Sequence, residues 1–290
     1  NTVKEFEKGI TAYEAAKEIS AGLARIACAA KINGRNADLR DTLESDCTLE
    51  ILTFEDEYGR RTFRHTASHI MAQAVKRLYP QAKLAIGPAV DDGFYYDFDI
   101  EDKFTPEDLA KIEAEMKKIV KEDIKIERFL MTRGEAVKYF EEKGEPYKVE
   151  LIADIPEGEN ISFYTQGDFT DLCAGAHLMS TGAVKAFKLT SATGAYWRGD
   201  SDKKMLCRVY GTAFPKPGEL EEHLNMLEEA KKRDHNKLGR ELELFTTVDI
   251  IGQGLPILLP KGAKIIQILQ RFVEDEEARR GWQLTKTPYM

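Results

Sequence analysis

Along the first fifty residues the apolar positions repeat first every two residues, then every three or four, then every two again, so short strands flank a helix. Thr2-Val-Lys-Glu-Phe-Glu alternates as a strand does, and Thr11-Ala-Tyr-Glu14 has capping-box spacing ahead of an alanine-rich helix. Lys31-Ile-Asn-Gly-Arg35 is a turn signal, and the stretch from Thr48 to Phe54 reads as another short strand. The expected result is a β-α-β start to a small β-grasp-like unit over residues 1–56.

A helical period follows. From Thr62 it carries His65, His69, Ala72 and Lys76 down one side and stops near Pro80. Phe94-Tyr-Tyr-Asp-Phe98 reads as strand. Thr105-Pro-Glu-Asp108 is an N-cap with proline at the first helical position, before a stripe of Leu109, Ile112, Met116, Ile119 and Val120. Thr132-Arg-Gly-Glu135 is another capping box, and Gly144 suits the end of its helix. Residues 147–213, rich in glycine, threonine and aromatics, are expected to be mostly strand. Pro217-Gly218 marks a boundary before an amphipathic helix with Leu220, Leu224 and Leu227. That helix and the basic run after it form a connector over 215–243. From 244 a turn-rich Gly252-Gln-Gly-Leu-Pro256 leads to a long helix near 261–280 and the start of a strand toward Pro288. The pattern predicts an α+β protein with units at 1–56, 57–214, 215–243 and 244–290.

Composition narrows the function. With 42 basic and 50 acidic residues the net charge is −8, which excludes coating nucleic acid by bulk attraction. Any such contact must be local, and Lys231, Lys232 and Arg233, with Lys237 and Arg240, oppose only Asp234. No apolar run approaches the roughly 18 residues of a membrane span, and no secretory signal precedes the four scattered cysteines, so a soluble, reducing, cytoplasmic setting is expected. Asn1 in place of methionine points to a trimmed or partial chain. Gly252-Gln-Gly254 lacks the third glycine of a dinucleotide loop, and no phosphate loop is present.

His65 and His69, four apart on a helix, turn both imidazoles to one face. Cys173-Ala-Gly-Ala-His177 sets a thiol and an imidazole across a glycine-containing turn about a hundred residues on. The four side chains make a tetrahedral zinc set or a metal-free cluster that orders water for hydrolysis. Their residue types do not separate the two, and each pair alone has an ordinary packed-histidine explanation.

Arg64-His-Thr-Ala-Ser-His69, Asp171-Leu-Cys-Ala-Gly-Ala-His177 and Gly194-Ala-Tyr-Trp-Arg-Gly-Asp200 running on to Val209-Tyr-Gly-Thr-Ala-Phe214 together resemble the threonyl-tRNA synthetase family of bacterial type. The resemblance covers the whole chain. It implies a TGS-type β-grasp domain, an α+β editing domain, a linker helix and the opening of a class II catalytic domain, whose first motif resembles the stretch from Arg280 to Pro288. It further implies hydrolysis of seryl-tRNA(Thr), with His65, His69, Cys173, His177, Lys148 and Asp171 catalytic and Tyr96 against the L-serine ester, while the basic run makes Lys231, Lys232 and Arg233 the candidates for contact with tRNA. The alternative carried beside it is a non-catalytic tRNA-binding module with a structural zinc. The family implies no cofactor for editing. ATP, magnesium and zinc belong to synthetic motifs expected beyond Met290, so threonine activation is not expected of this chain, and the full-length protein is expected to be a homodimer. Ala176 departs from the family's usual proline.

Overall fold

The computed structural model describes residues 3–159, 161–252 and 254–286. Helix α1 (Ala12–Ile19) begins at the expected capping box, Thr11 and Glu14 each bonding the other's backbone amide. Ser20 ends it and caps α2 (Ala21–Ile26). Strands β1 (Ala29–Ile32) and β2 (Arg35–Ala37) form a hairpin, and β3 (Leu49–Leu52) pairs with the other edge of β1, all antiparallel. Asn33 and Gly34 both have positive φ, 50° and 77°, as a two-residue turn of this twist requires. The strand expected at the amino terminus does not form. Residues 3–7 are non-regular, Val3 is 95% exposed, and four charged neighbours leave the segment little apolar surface to dock.

Helix α3 (Glu57–Leu78) starts five residues before Thr62, beyond Asp56, whose carboxylate holds the Thr53 amide. It packs on α4, β6 and β11, defined below, and fourteen of its 22 residues are buried. The five residues before Thr62 give no stripe to read, because Glu57 and Arg61 are exposed and only Gly59 is buried. Short strands β4 (Lys83–Leu84) and β5 (Ala89–Val90) both pair with β6 (Gly93–Asp99). Helix α4 (Pro106–Glu122) buries Ile112, Met116 and Ile119 fully, as its stripe requires. Strand β7 (Ile126–Met131) precedes α5 (Arg133–Lys143), which Gly144 closes at a φ of 67°.

Residues expected to be strand from 147 instead begin as helix α6 (Pro146–Ala153). Pro146 stands at its first position, and Lys148, Val149 and Ile152 lie on the side that packs inward. Strands β8 (Ile161–Gln166) and β9 (Phe169–Leu172) complete an antiparallel sheet in the order β7-β8-β9. Strands β10 (Ala186–Tyr196) and β11 (Met205–Phe214) extend the larger sheet, in the order β10-β11-β6-β4. Helices α3 and α4 pack on it around Phe94, Tyr96, Phe98, Met71 and Met116. The fold is α+β.

Contacts divide the chain into residues 1–221 and 222–290, the division falling inside α7 (Pro217–Lys232). The connector is two helices, since α7 stops at Lys232 and Asp234 caps α8 (His235–Glu241) by accepting the Lys237 amide at 2.9 Å. In the second unit β12 (Phe245–Thr246) pairs with β13 (Ile257–Leu258), ahead of α9 (Pro260–Arg279). Residues 282–286 form no strand, and the end of the expected one, Thr287 to Met290, lies outside the described residues. No described helix is long and apolar enough to cross a membrane.

Candidate active site

The third and fourth turns of α3 present His65 and His69 toward the turn after β9, which carries Cys173 and His177. The one-face placement expected from the spacing holds, with the two rings 4.8 Å apart. His177 lies 4.6 Å from the His65 ring and 4.3 Å from the His69 ring. One donor atom from each of the four residues falls within 4.8 Å of all the others, the metal-capable cluster found among the described residues.

Backbone groups orient the rings. His65 Nδ1 lies 3.0 Å from the Gly87 carbonyl, so it carries the proton and Nε2 turns a lone pair to Cys173 Sγ at 2.8 Å. Gly87 comes this close because it has no side chain: a Cβ there would sit 2.1 Å from the Tyr96 ring. His177 Nε2 is 3.3 Å from the same sulfur, and its Nδ1 is 3.3 Å from Thr66 Oγ1. The Gly175 amide donates to the sulfur at 3.3 Å.

A second group of charges lies against His69. Lys148 Nζ reaches Asp171 Oδ1 at 2.6 Å and the Tyr96 hydroxyl at 2.9 Å, and that hydroxyl donates to Asp171 Oδ2 at 2.6 Å. All three side chains are buried. Burial raises the affinity of Asp171 for a proton, but the Lys148 ammonium and the hydrogen bonds from Lys148 and Tyr96 outweigh it and hold the carboxyl below its ordinary value. The site therefore keeps one buried cation and one buried anion, matched.

Burial also sets the other protonation states. It lowers His65 to about 4 and, with the neighbouring His65, lowers His69 to about 3. His177 falls well below the ordinary imidazole value for the same reason. His69 is thus neutral, and its 3.9 Å approach to Asp171 is not an ion pair. Cys173 is pushed up to about 12 by burial, so it is a thiol at neutral pH and a weak nucleophile.

These shifts have a consequence for stability. Imidazoles neutral in the fold but basic near 6.5 when unfolded make the unfolded chain bind more protons between pH 6.5 and 4. Stability is then complete above 6.5 and falls as pH drops through that window, by about 2 kcal/mol per imidazole at pH 5. A urea midpoint that stays flat from pH 7 to 5 would contradict the buried, neutral cluster.

The amino-terminal unit reaches this site from behind. Arg40 donates to the carbonyls of Ile126, His177 and Leu178 at 2.6, 3.0 and 2.8 Å and pairs with Asp38 at 3.0 Å. Asp38 accepts from the Tyr164 hydroxyl at 2.9 Å and the His177 amide at 3.3 Å. Sequence reasoning missed Asp38, Arg40, Thr66, Gly87 and Tyr164. Only Thr66, lying between two histidines on one helix, left any trace in the sequence. The accessible side is formed by the half-buried His65 and Gly175 and the exposed Ala174.

The donor set fits zinc by type and mutual reach. Three imidazoles and a thiol would hold it, and His65 already has the carbonyl partner that metal-bound imidazoles keep on their far nitrogen. Such an ion would keep Cys173 as thiolate, and with all four side chains bound it would have no open position for water, as in a structural zinc site. Lys231, Lys232 and Arg233 lie at and just beyond the end of α7, in the second unit. Lys232 pairs with Glu229 at 2.5 Å, and all three are exposed.

Strands β8 and β9, the Cys173–His177 turn, β10 and the first part of β11 match the model of the threonyl and alanyl tRNA synthetase second additional domain over residues 161–210. Residues 1–53 match the TGS domain. Fold and site thus define an aminoacyl-tRNA synthetase module in which a TGS domain precedes a second additional domain. Threonine–tRNA ligase of Clostridium perfringens (strain SM101 / Type A) is 61% identical over 289 residues, covering 100% of this chain and 45% of the relative. The enzyme of Acetivibrio thermocellus is 60% identical over 287 residues, covering 99% and 45%. That of Caldanaerobacter subterraneus subsp. tengcongensis is 59% identical over 287 residues, covering 99% and 44%. The chain belongs to the threonine–tRNA ligase family, and it spans about 45% of the length of these relatives.

Proposed function

We propose that this chain is the proofreading part of a threonine–tRNA ligase and hydrolyses the ester of seryl-tRNA(Thr). The observation that carries the reading is the convergence of neutral imidazoles from α3 with the Cys173–His177 turn, beside a buried Lys148–Asp171–Tyr96 group. The physical need is plain: a synthetic site sized for threonine discriminates weakly against serine, since one lost methyl is worth only about 1 to 3 kcal/mol.

His65 is the candidate base. Its tautomer is set by Gly87 and it is neutral at pH 7, so Nε2, whose lone pair meets the Cys173 thiol at 2.8 Å, can take a proton from a water that displaces this contact and attacks the ester carbonyl. His69 and His177 confine that water. Lys148 has three N–H donors and two partners, which leaves one for the developing oxyanion. Cys173, held as a thiol, serves as a hydrogen-bonding wall, so no acyl-enzyme is invoked. Tyr96 contributes shape through its ring behind Gly87. Lys231, Lys232 and Arg233 would add phosphate contacts to tRNA, a role that an unchanged salt slope after their neutralisation would remove. ATP-dependent joining of threonine, its magnesium and zinc, and homodimer formation are proposed for the longer protein.

Substrate choice tests the reading. Threonine carries every polar group of serine, so selection must come from crowding of the extra methyl near Gly87, Tyr96 and the 173–177 turn. Overpacking costs about 1 to 3 kcal/mol, or roughly 10- to 100-fold in rate. Single-turnover deacylation of seryl-tRNA(Thr) and threonyl-tRNA(Thr) should differ by that much, and equal rates would mean an unselective esterase. Stoichiometric, chelator-resistant zinc in a chain that cleaves neither substrate would favour the structural-zinc module.

A further inference from the structure

We propose that Lys76 is a positioning residue that keeps the Glu145 carboxylate from capturing the Lys148 ammonium. This rests on the reading that Lys148 serves an ester-cleaving site.

Lys76 lies on the same side of α3 as His65 and His69, two turns beyond His69. Its ammonium reaches Glu145 Oε1 at 2.8 Å and the carbonyls of Pro80 and Ala82 at 3.0 Å each. Glu145 stands at the N-cap of α6, 4% exposed, and its other oxygen accepts the Leu84 amide at 2.6 Å. Lys148 is in the first turn of that helix, its own amide bonded to the Glu145 carbonyl at 3.1 Å. Of two buried carboxylates, Asp171 therefore holds the Lys148 ammonium, while Glu145 stands three residues before Lys148 at the start of the same helix. The negative charge of Glu145 is near enough to add to the raised proton affinity of the Tyr96 hydroxyl.

Residues three apart at a helix start share a face, and the four-carbon stem of lysine has four rotatable bonds, so either acid is within the range of the Lys148 ammonium once its present contacts give way. Lys76 decides between them by neutralising Glu145. Without it, Glu145 is a buried carboxylate with only a backbone amide for a partner, a costly state that is relieved by drawing the Lys148 ammonium off Asp171 and Tyr96. Removing the Glu145 charge as well removes the competitor. A double variant that recovers function cannot be explained by lost packing, which would leave it at least as impaired.

The test compares Lys76→Met, Glu145→Gln and the double variant in the full chain. Lys76→Met should slow single-turnover deacylation of seryl-tRNA(Thr) on the order of 10- to 100-fold, with little change in half-saturating tRNA. Glu145→Gln should stay near the parent rate, and the double variant should return to it. A double variant as slow as Lys76→Met, or a Lys76→Met variant as fast as the parent, overturns the proposal. The amino NMR signal of Lys148, assigned by its loss in Lys148→Arg, reads the same displacement without turnover. It should shift in Lys76→Met and return in the double variant, and an unmoved signal overturns the proposal even if the parent proves inactive, an outcome that would separately sink the hydrolase reading. If Lys76→Met does not fold, Lys76→Gln, which keeps a donor for the two carbonyls but carries no charge, takes its place.

Discussion

Replacing His65 or His69 with alanine is expected to lower single-turnover cleavage of seryl-tRNA(Thr) by about 10²- to 10⁴-fold, the usual worth of a positioned proton acceptor and its water. Affinity for tRNA should hardly change. Both rings face Cys173 and each other on the inner side of α3, where they can touch the ester but not the run of backbone phosphates. The two variants should differ in stability. His65 is half-buried, so its loss is mild, whereas His69 is 3% exposed and leaves a cavity that should cost on the order of 2 kcal/mol. Deacylation at the parent rate by either variant would remove that residue from the mechanism. A folded His69→Ala that binds tRNA and fails only in cleavage would tie the ring to chemistry rather than to packing.

Arg40→Met is expected to cost about 3 to 5 kcal/mol of stability, because it breaks a buried pair from one side only. It would leave the Asp38 carboxylate, 3% exposed, without its cation, and three carbonyls without a donor. Two of those carbonyls belong to His177 and Leu178, so the site should suffer as well: the turn that aims His177 at Cys173 loses its support, and deacylation should fall by on the order of tenfold. Asp38→Asn combined with Arg40→Met should be less damaging than Arg40→Met alone, since it removes the stranded charge. Urea denaturation and single-turnover rates on the three variants decide this. A change below about 0.5 kcal/mol for Arg40→Met would mean that the guanidinium is a surface group, worth no more than exposed pairs are.

Local chemistry made much of the molecule readable in its sequence. Thr11 with Glu14, Thr105 with Asp108 and Thr132 with Glu135 each satisfy amides that would otherwise be bare at a helix start, so those helices begin where the residues say they must. The Asn33-Gly34 hairpin and the stripe on α4 are equally local. His65 and His69 share a face because four residues make about one helical turn. Where periodicity is weak or is not backed by burial, the reading failed. The first turn of α3 is mostly polar, with only Gly59 buried, and has no stripe, α6 follows a β-like composition, and residues 3–7 alternate but carry too little apolar surface to dock. Lys148, Asp171 and Tyr96 were found only through family resemblance, because no local pattern in the sequence links them. Their ion pair exists because the fold brings α6, β9 and β6 to one buried point, where each charge must find its counterpart. Asp38, Arg40 and Glu145 left no sequence signal at all: hydrogen bonds across more than sixty residues are made by packing, and only the tertiary structure decides them.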